Sequence, residues 1–223
     1  MITFRAIIEV DLNAGTTTRR TLTEAFGGDW VGGRSINAAL MAGKLSQPID
    51  PLGPDNDLLL SCGLLTGTAA PASSRLHINA VSPLTGLLGS SNIGGNFGRR
   101  LRACGYDGII VRGVSARPVC LEIGRSAVRL SDAARLWGLD TYQTQDMLVQ
   151  QYEKGTVDSL VIGPAGENLV AFACIVCNKD HTAGRTGLGA VMGAKRLKAI
   201  VLSPHGSLRR SPVTPFAKAA VAD

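Results

Sequence analysis

The sequence predicts an α+β fold, in which short strands dominate and a few short helices join them. Most of the apolar segments are short, and several neighbouring pairs are separated by turn residues, as in β-hairpins. Few segments have the helical repeat of apolar residues. Hairpins also outnumber the strand–helix–strand units that build parallel sheets, which favours α+β over α/β.

Composition restricts the class of protein further. The chain has 223 residues, of which 45% are hydrophobic and 18% are charged. A chain of this length buries roughly 70% of its unfolded surface, and disordered chains are poorer in apolar residues. No apolar stretch approaches the roughly 20 residues of a membrane-spanning helix, and charges within the first eleven residues argue against a secretory signal. Five cysteines, an odd number, favour reduced thiols and a cytoplasmic protein that does not enter a membrane.

Charge indicates an anionic ligand. The net charge is +6, and the chain has two Trp, three Tyr and five Phe. Proteins that bind nucleic acid usually combine a basic face with aromatic side chains for stacking, and aromatic residues are scarce here. We therefore expect no nucleic acid partner. A small polyanion, such as a phosphorylated cofactor, accounts for the same positive charge.

The first third of the chain predicts a hairpin, a helix and a buried strand. Residues 4–12 and 16–22 alternate in hydrophobicity around a short turn. Residues 35–45 are rich in Ala, Leu and Met, and Gly33 or Arg34 begins this predicted helix. Residues 58–62 form a continuous apolar run, which is typical of a buried strand.

The middle third predicts strands on both sides of a glycine-rich loop. Residues 74–81 alternate, with Arg75, His77 and Asn79 on the polar side. Residues 90–98 are interpreted as a loop that leads into a helix ending near Cys104. A strand at 109–112 and a hairpin of 118–123 with 127–130 follow.

The last third contains the clearest helix, residues 140–153, which Asp140 or Thr141 caps. Strands are predicted at 159–162, 169–177 and 197–202, with a short helix at 187–194. We find no repeat of fixed period. The predicted domain covers residues 1–203, and residues 204–223 resemble a linker.

Two glycine-rich loops, 90–98 and 183–189, are candidates for binding phosphate through backbone N–H groups. Neither matches a Walker or dinucleotide-binding motif, and their glycines are equally well explained by tight turns. Arg75 is interpreted either as a bidentate phosphate ligand or as an exposed strand residue.

The other reactive residue types form no catalytic set. Cys174 and Cys177 lie in an apolar strand and are interpreted as structural thiols, since one such pair cannot complete a tetrahedral metal site. His181 precedes the second glycine loop and is a candidate donor to an anion. His77 and His205 have no neighbouring functional residues in the sequence and are interpreted as structural or surface residues.

At these motifs the chain resembles the amino-terminal domain of the tungsten-containing aldehyde ferredoxin oxidoreductase family. The resemblance extends from about residue 4 to residue 201, and its motifs occur in the family's order. The matching segments are 31–34, 64–68, 74–75, 82–86, 91–95, 105–108, 136–138, 162–168 and 183–193.

The resemblance implies two related β-sheets that form a platform for a bis-pterin tungsten or molybdenum cofactor. It also implies a magnesium ion that bridges the two pterin phosphates through the backbone carbonyls of Asn92 and Thr182. His181 stands where many relatives have arginine. The cofactor contacts of the family fall on Arg75, Asn92, Gly94, His181, Thr182 and Gly184, and we add their loop neighbours Gly95 and Arg185.

The function implied is oxidation of aldehydes to carboxylic acids, with electrons leaving through a [4Fe–4S] cluster to ferredoxin. Family members carry the cluster cysteines in helical C-terminal domains, which this sequence does not contain. We therefore expect those domains, or a separate subunit that carries them, as a partner in a homo- or hetero-oligomer. The alternative is a truncated, non-catalytic relative that acts as a binding or scaffold subunit.

Overall fold

A computed structural model describes residues 6–68, 70–152 and 157–203. This part of the chain contains twelve strands and six short helices. The strands are β1 Ala6–Asp11, β2 Thr16–Thr21, β3 Leu58–Cys62, β4 Leu76–Val81, β5 Leu88–Ile93, β6 Gly108–Arg112, β7 Val119–Ile123, β8 Val128–Asp132, β9 Asp158–Val161, β10 Ile175–Cys177, β11 His181–Ala183 and β12 Leu197–Leu202. The helices are α1 Glu24–Asp29, α2 Arg34–Met41, α3 Phe97–Ala103, α4 Thr141–Gln151, α5 Pro164–Glu167 and α6 Leu188–Ala194.

The strands form two mixed sheets of six strands each, which confirms the α+β class. The order in the first sheet is β2-β1-β6-β3-β4-β5, and in the second it is β11-β10-β9-β12-β7-β8. In the first sheet only β1 and β6 are parallel, and in the second only β7 and β12 are. All other pairs are antiparallel, as the abundance of hairpins predicted.

The second sheet repeats the topology of the first. Adding six to each strand number of the first sheet gives the strand order of the second. The parallel pair is equivalent too, since β1 with β6 and β7 with β12 are the first and last strands of each half. Helix α3 precedes the last strand of the first half, and α6, also of seven residues, precedes the last strand of the second. The chain is therefore built from two halves of equivalent fold, a relation that the sequence analysis reached only through the family resemblance.

The two sheets share one central core. Inward-facing residues of both sheets pack there together with α3 and α6, including Phe97, Leu101, Val191 and Met192. The outer face of the first sheet is covered by α2, through Ile36 and Met41. Leu148 of α4 covers part of the outer face of the second sheet. Each sheet is thus apolar on both faces, which accounts for nearly continuous apolar strands such as β3 and β12.

Several predicted elements differ from the structure. Strand β5 occupies much of the segment interpreted as a loop, since its Gly, Ser and Asn residues hide an alternation in which Gly89, Ser91 and Ile93 are buried. The strand predicted at 169–177 is reduced to β10, because Leu169 has φ 58° and the residues after it turn. The sequence analysis also missed β11 and α1, whose Gly27 and Gly28 obscured the helical pattern.

Other elements agree with the sequence. Asp140 caps α4 through a capping box, in which its side chain accepts from the N–H of Gln143 and the Gln143 side chain accepts from the N–H of Asp140. The predicted helix at 35–45 begins at Arg34 but ends at Met41. No helix in the described ranges is both long and apolar enough to span a bilayer. The predicted linker 204–223, His205 and Phe4 lie outside the described residues.

Candidate functional site

The two sheets meet along β5 and β11, which are equivalent edge strands of the first and second sheets. A groove of about 400 Å³ opens between them, and we call it the seam groove. Its walls carry hydroxyl, amide and guanidinium groups and backbone atoms. The lining residues are Ser90, Ser91, Asn92, Thr182, Gly184 and Arg185.

Equivalent hairpins form the two sides of the seam groove. In the first half Leu76 of β4 pairs with Ile93 of β5, and Gly94 follows. In the second half Ile175 of β10 pairs with Ala183 of β11, and Gly184 follows. The residues just before the buried Ile93 and Ala183 are Asn92 and Thr182. Both side chains are exposed at the groove, so the structure brings together two predicted site residues that are 90 positions apart.

Arg75 lies at the first side of the groove. It immediately precedes β4, and its Nη1 donates to Oδ1 of Asn92 at 3.2 Å. The neighbouring Ser74 Oγ donates to the carbonyl of Gly95 at 2.8 Å, which fixes the glycine loop beside the arginine. The Arg75 side chain is exposed, and a guanidinium held at one edge keeps its other donors for a ligand.

His181 crosses the seam to the first glycine loop. A Cβ atom at Gly94 would lie 3.2 Å from Cδ2 of His181, and one at Gly95 only 2.7 Å from it. Gly95 also has φ 83°, a left-handed conformation that other residues rarely adopt. Glycine is therefore needed at position 95 both for the turn and for the close approach of the His181 ring.

Hydrogen bonds connect the second glycine loop to the first half. The backbone N–H of Arg185 donates to Ser91 Oγ at 3.4 Å. The Ser82 hydroxyl donates to the carbonyl of Thr186 at 2.8 Å. These contacts position Arg185, whose side chain is exposed, at the second side of the groove.

The arginines of the groove differ in their partners from half of the other described arginines. Within the described part of the chain, neither Arg75 nor Arg185 has a carboxylate oxygen within 4 Å, whereas six other arginines form ion pairs. An arginine without an internal counter-ion attracts an anionic ligand more strongly than one already paired. The groove is therefore suited to anionic groups.

The structure corrects the interpretation that His77 has no neighbouring candidate residues. It pairs with Asn92 across β4 and β5, one residue beyond Leu76 and close to Arg75. Its Nδ1 is buried and has no hydrogen-bond partner among the described residues. Burial, and after it the positive charges of Arg34 and Arg75, lower the pKa of His77, so the ring is neutral at neutral pH. Alternation placed His77 on the polar side of β4, but only the tertiary structure brings Arg34 near it.

Cys177 of β10 and Cys174, the residue before this strand, are consistent with structural thiols. Cys177 is buried, and burial raises its pKa to about 12. Cys174 is half-buried and unpaired. A thiol that remains protonated at neutral pH is a poor nucleophile and a poor metal ligand.

The chain is similar to proteins of one described family. Residues 7–204 match the family described as aldehyde ferredoxin oxidoreductase, N-terminal domain. A tungsten-containing aldehyde ferredoxin oxidoreductase of Pyrococcus horikoshii is 41% identical over 89% of this chain and 33% of its own length. An aliphatic sulfonate oxidoreductase, WOR-like subunit, of Pyrococcus furiosus is 33% identical over 91% of the chain and 34% of its own length.

A solved structure has the same fold. The active site complex BamBC of benzoyl coenzyme A reductase, with 1,5-dienoyl-CoA, superposes with a TM-score of 0.86 at 35% identity. The match covers 90% of this chain and 30% of that one. The chain thus spans about one third of the length of the curated relatives that it matches. From the match over residues 7–204 and the identity to these relatives, the chain belongs to the aldehyde ferredoxin oxidoreductase family, of which it represents the N-terminal domain.

Proposed function

We propose that this chain is the cofactor-binding platform of a tungsten or molybdenum oxidoreductase. The observation that carries the proposal is the seam groove between two glycine loops, with Arg185 in its lining and Arg75 bonded to its residue Asn92. Neither arginine has a carboxylate partner among the described residues. A phosphorylated pterin has the anionic groups that such a groove attracts. The names of the relatives, which include the word tungsten, support the same ligand class.

The groups present fit a bis-pterin cofactor. Arg75 would hold a phosphate through its free guanidinium donors, and Arg185 would do so from the other half. Gly94, Gly95 and Gly184 leave the backbone open to a ligand, and His181 would contribute a ring N–H. Asn92 and Thr182 occupy equivalent sides of the groove, and by the family resemblance their backbone carbonyls would hold a magnesium ion, which would offset phosphate charge. The bound cofactor would supply the two-electron chemistry of aldehyde oxidation at its metal.

We propose that the complete reaction also uses polypeptide equivalent to the part of the relatives that this chain does not match. We propose that residues 1–203 form the platform and that residues 204–223 lead toward helical domains equivalent to the remaining two thirds of the relatives. Those domains, in the same chain or in a separate cytoplasmic subunit, would hold the [4Fe–4S] cluster and pass electrons to ferredoxin. They would also exclude water from the metal.

The test is cofactor retention in the assembled protein. The chain is produced with a polypeptide that carries the helical domains, in cells supplied with tungstate and molybdate. Metal is measured by mass spectrometry and pterin by fluorescence after oxidation, per mole of chain. We expect Arg75→Ala to lower both contents at least about tenfold, and Arg75→Lys to lower them in part, because an ammonium cannot make the planar two-point contact.

Arg117→Ala is the matched control, because Arg117 is an exposed arginine of the second half whose partner is Asp132, on the neighbouring strand β8. Equal metal and pterin content in wild type, Arg75→Ala and Arg117→Ala would refute the role of Arg75. A purified assembly that holds neither metal nor pterin would refute the platform itself and favour the non-catalytic scaffold.

A further inference from the structure

Next to Arg75, the first half of the fold brings β4 against helix α2. His77 faces outward from β4, and a Cβ atom at Gly33 would lie 2.8 Å from its Cδ2. Gly33 has φ 61° and is the residue immediately before α2. The backbone at Gly33 therefore lies against the edge of the imidazole, and the next residue, Arg34, begins the helix beside the ring.

Two arginines lie close to this neutral ring in the chain or the fold. Arg34 follows Gly33, whose backbone lies against the ring, and Arg75 is two residues before His77. The positive charges of both arginines contribute to the lowered pKa of His77. Arg34 is exposed and, within the described ranges, has neither a hydrogen-bond partner nor a carboxylate within 4 Å. The first turn of α2 also contains no acidic residue. Two unpaired cations around one neutral side chain repel each other unless an anion lies between them.

His77 has a hydrogen bond to offer at the same place. Its Nδ1 is buried without a partner in the described part of the chain, and an unsatisfied buried nitrogen is costly. The main chain of His77 is fixed independently, since its carbonyl accepts from Asn37 of α2 at 3.3 Å. This contact joins α2, which begins at Arg34, to β4, which Arg75 immediately precedes.

We propose that Arg34 is a further anion-binding residue of the seam groove and that it shares with Arg75 the anionic group bound by the first half. The inference rests on the proposed function, since it assigns a second arginine to the same ligand class. His77 is a positioning residue in this arrangement. Gly33, which precedes Arg34, lies against its ring, and Arg75 is two residues before it in the chain, so in this arrangement a single anion beside the ring contacts both guanidinium groups.

The test measures binding of inorganic pyrophosphate to the purified 223-residue chain by titration calorimetry at low ionic strength. The variants are Arg34→Ala, Arg75→Ala and the double variant. Arg135→Ala is the control, because Arg135 is also exposed and also lacks a carboxylate partner among the described residues, but lines a separate cavity on the second sheet. Thermal melting of each variant checks that it folds, which the exposure of all three arginines favours.

If the two arginines share an anion, Arg34→Ala and Arg75→Ala each weaken binding about tenfold, and the double variant weakens it by much less than a hundredfold. Arg135→Ala changes affinity less than twofold. If the pyrophosphate affinity of Arg34→Ala equals that of Arg135→Ala while Arg75→Ala still binds more weakly, this inference is overturned and the proposed function is left intact. Strictly multiplicative losses would also overturn it, because they indicate two separate anions. Wild-type affinity in both single variants, or no binding by the wild type, would overturn the proposed function together with the inference.

Discussion

The two halves of the molecule have the same strand order but place their basic residues differently. In the hairpin of the first half, the residue before β4 is Arg75, and the equivalent residue before β10 is Cys174. Beyond the strands the relation reverses. Gly95 of the first half corresponds to Arg185 of the second, because each is the second residue after the equivalent strands β5 and β11.

The outward-facing residues differ in the same way. His77 of β4 lies at the groove beside α2, whereas its equivalent, Val176 of β10, packs against the apolar cluster under α4. Each of the two equivalent hairpins therefore supplies one arginine, but Arg75 precedes the first strand of its hairpin and Arg185 follows the second strand of the other. The comparison indicates that the backbone topology is duplicated and that the charged contacts are not, so a ligand with two similar anionic groups would meet two different sets of side chains.

The largest expected difference between the halves concerns the second residue of the helix before the last strand. A Cβ atom at Gly189 of α6 would lie 2.5 Å from the carbonyl oxygen of Cys174, but one at Gly98 of α3 would lie 3.1 Å from a methyl group of Thr66. Backbone cannot move aside as a side chain can. We expect Gly189→Ala to lower the free energy of unfolding by about 3 kcal/mol and Gly98→Ala by less than about 1 kcal/mol, since better helix propensity offsets part of the cost.

Urea unfolding followed by circular dichroism measures both values. Gly138→Ala is a control for the solvent-exposed turns, because a Cβ atom there meets nothing within 4 Å and only its φ of 90° is unfavourable. Equal losses at Gly189 and Gly98 would contradict the conclusion that the second half is packed more closely at this position.

The residues that end the two equivalent helices predict opposite responses to pH. Burial lowers the pKa of Lys195, after α6, from 10.5 to about 8, and burial raises the pKa of Cys104, after α3, from 9.0 to about 11. Between pH 8 and 10.5 the unfolded chain keeps the Lys195 proton that the folded chain loses, so this residue makes stability rise with pH. Between pH 9 and 11 the unfolded chain loses the Cys104 proton first, so that residue makes stability fall with pH.

Two variants separate these contributions. Relative to the wild type, Lys195→Met should be more stable at pH 7.5, and its advantage should shrink by up to about 3 kcal/mol by pH 10.5. Cys104→Ala should lose less stability than the wild type over the interval from pH 9 to 11. Parallel pH profiles for the wild type and Lys195→Met, measured by urea unfolding, would show that the single hydrogen bond from Lys195 Nζ to the Gly113 carbonyl is enough to keep the lysine charged.

A smaller effect is expected at equivalent positions where one half has an arginine and the other half does not. Arg185→Ala should weaken pyrophosphate binding about tenfold, because it removes a charge-assisted contact of the second half. Cys174→Ala, at the position equivalent to Arg75, should change the affinity less than twofold. Titration calorimetry of both variants gives the comparison directly, and a larger loss for Cys174→Ala than for Arg185→Ala would invert our assignment.

The smallest expected effect comes from the two helices on the outer faces. Helix α4 has the Asp140 capping box, but the N-cap residue of α2 is Gly33, which has no side chain to form a cap. The His77 ring fills the space that a side chain at Gly33 would need. Asp140→Ala should therefore cost about 1 kcal/mol of unfolding free energy, and Asp140→Asn much less. Urea midpoints of the two variants test this, and equal losses would mean that the cap acts through charge alone.

The amino-acid pattern predicted most of the fold but not its duplication. Apolar runs such as Leu58–Cys62 and the capped helix after Asp140 are local signals, and the structure confirms them. Edge strand β5 was missed because it is built from small polar residues, and β11 because it has only three residues. The two halves have diverged in their connections, α2 on one side and α4 on the other, so no fixed period connects equivalent strands.

The site was accessible to sequence reasoning only in parts. Glycine loops and an arginine in an apolar strand were visible, and the family resemblance joined them into one candidate site. The roles of His77 and Arg34 depend on contacts between β4 and α2, which are separated in the chain by more than 30 residues. A signal was present in Gly32 and Gly33, since adjacent glycines before a helix often mark a close approach of another group.

The pairing of sheet edges has a consequence for how this domain meets other polypeptides. β5 lies along β11, and β2 lies along β8, where Thr17 Oγ1 donates to the carbonyl of Val128 at 3.1 Å. An exposed edge strand is a template for adding a strand from another molecule, which leads to aggregation. Because each edge here is flanked by an edge of the other sheet, addition of a foreign strand is hindered on both sides, and association with other chains is directed to the helix-covered faces and the connecting loops.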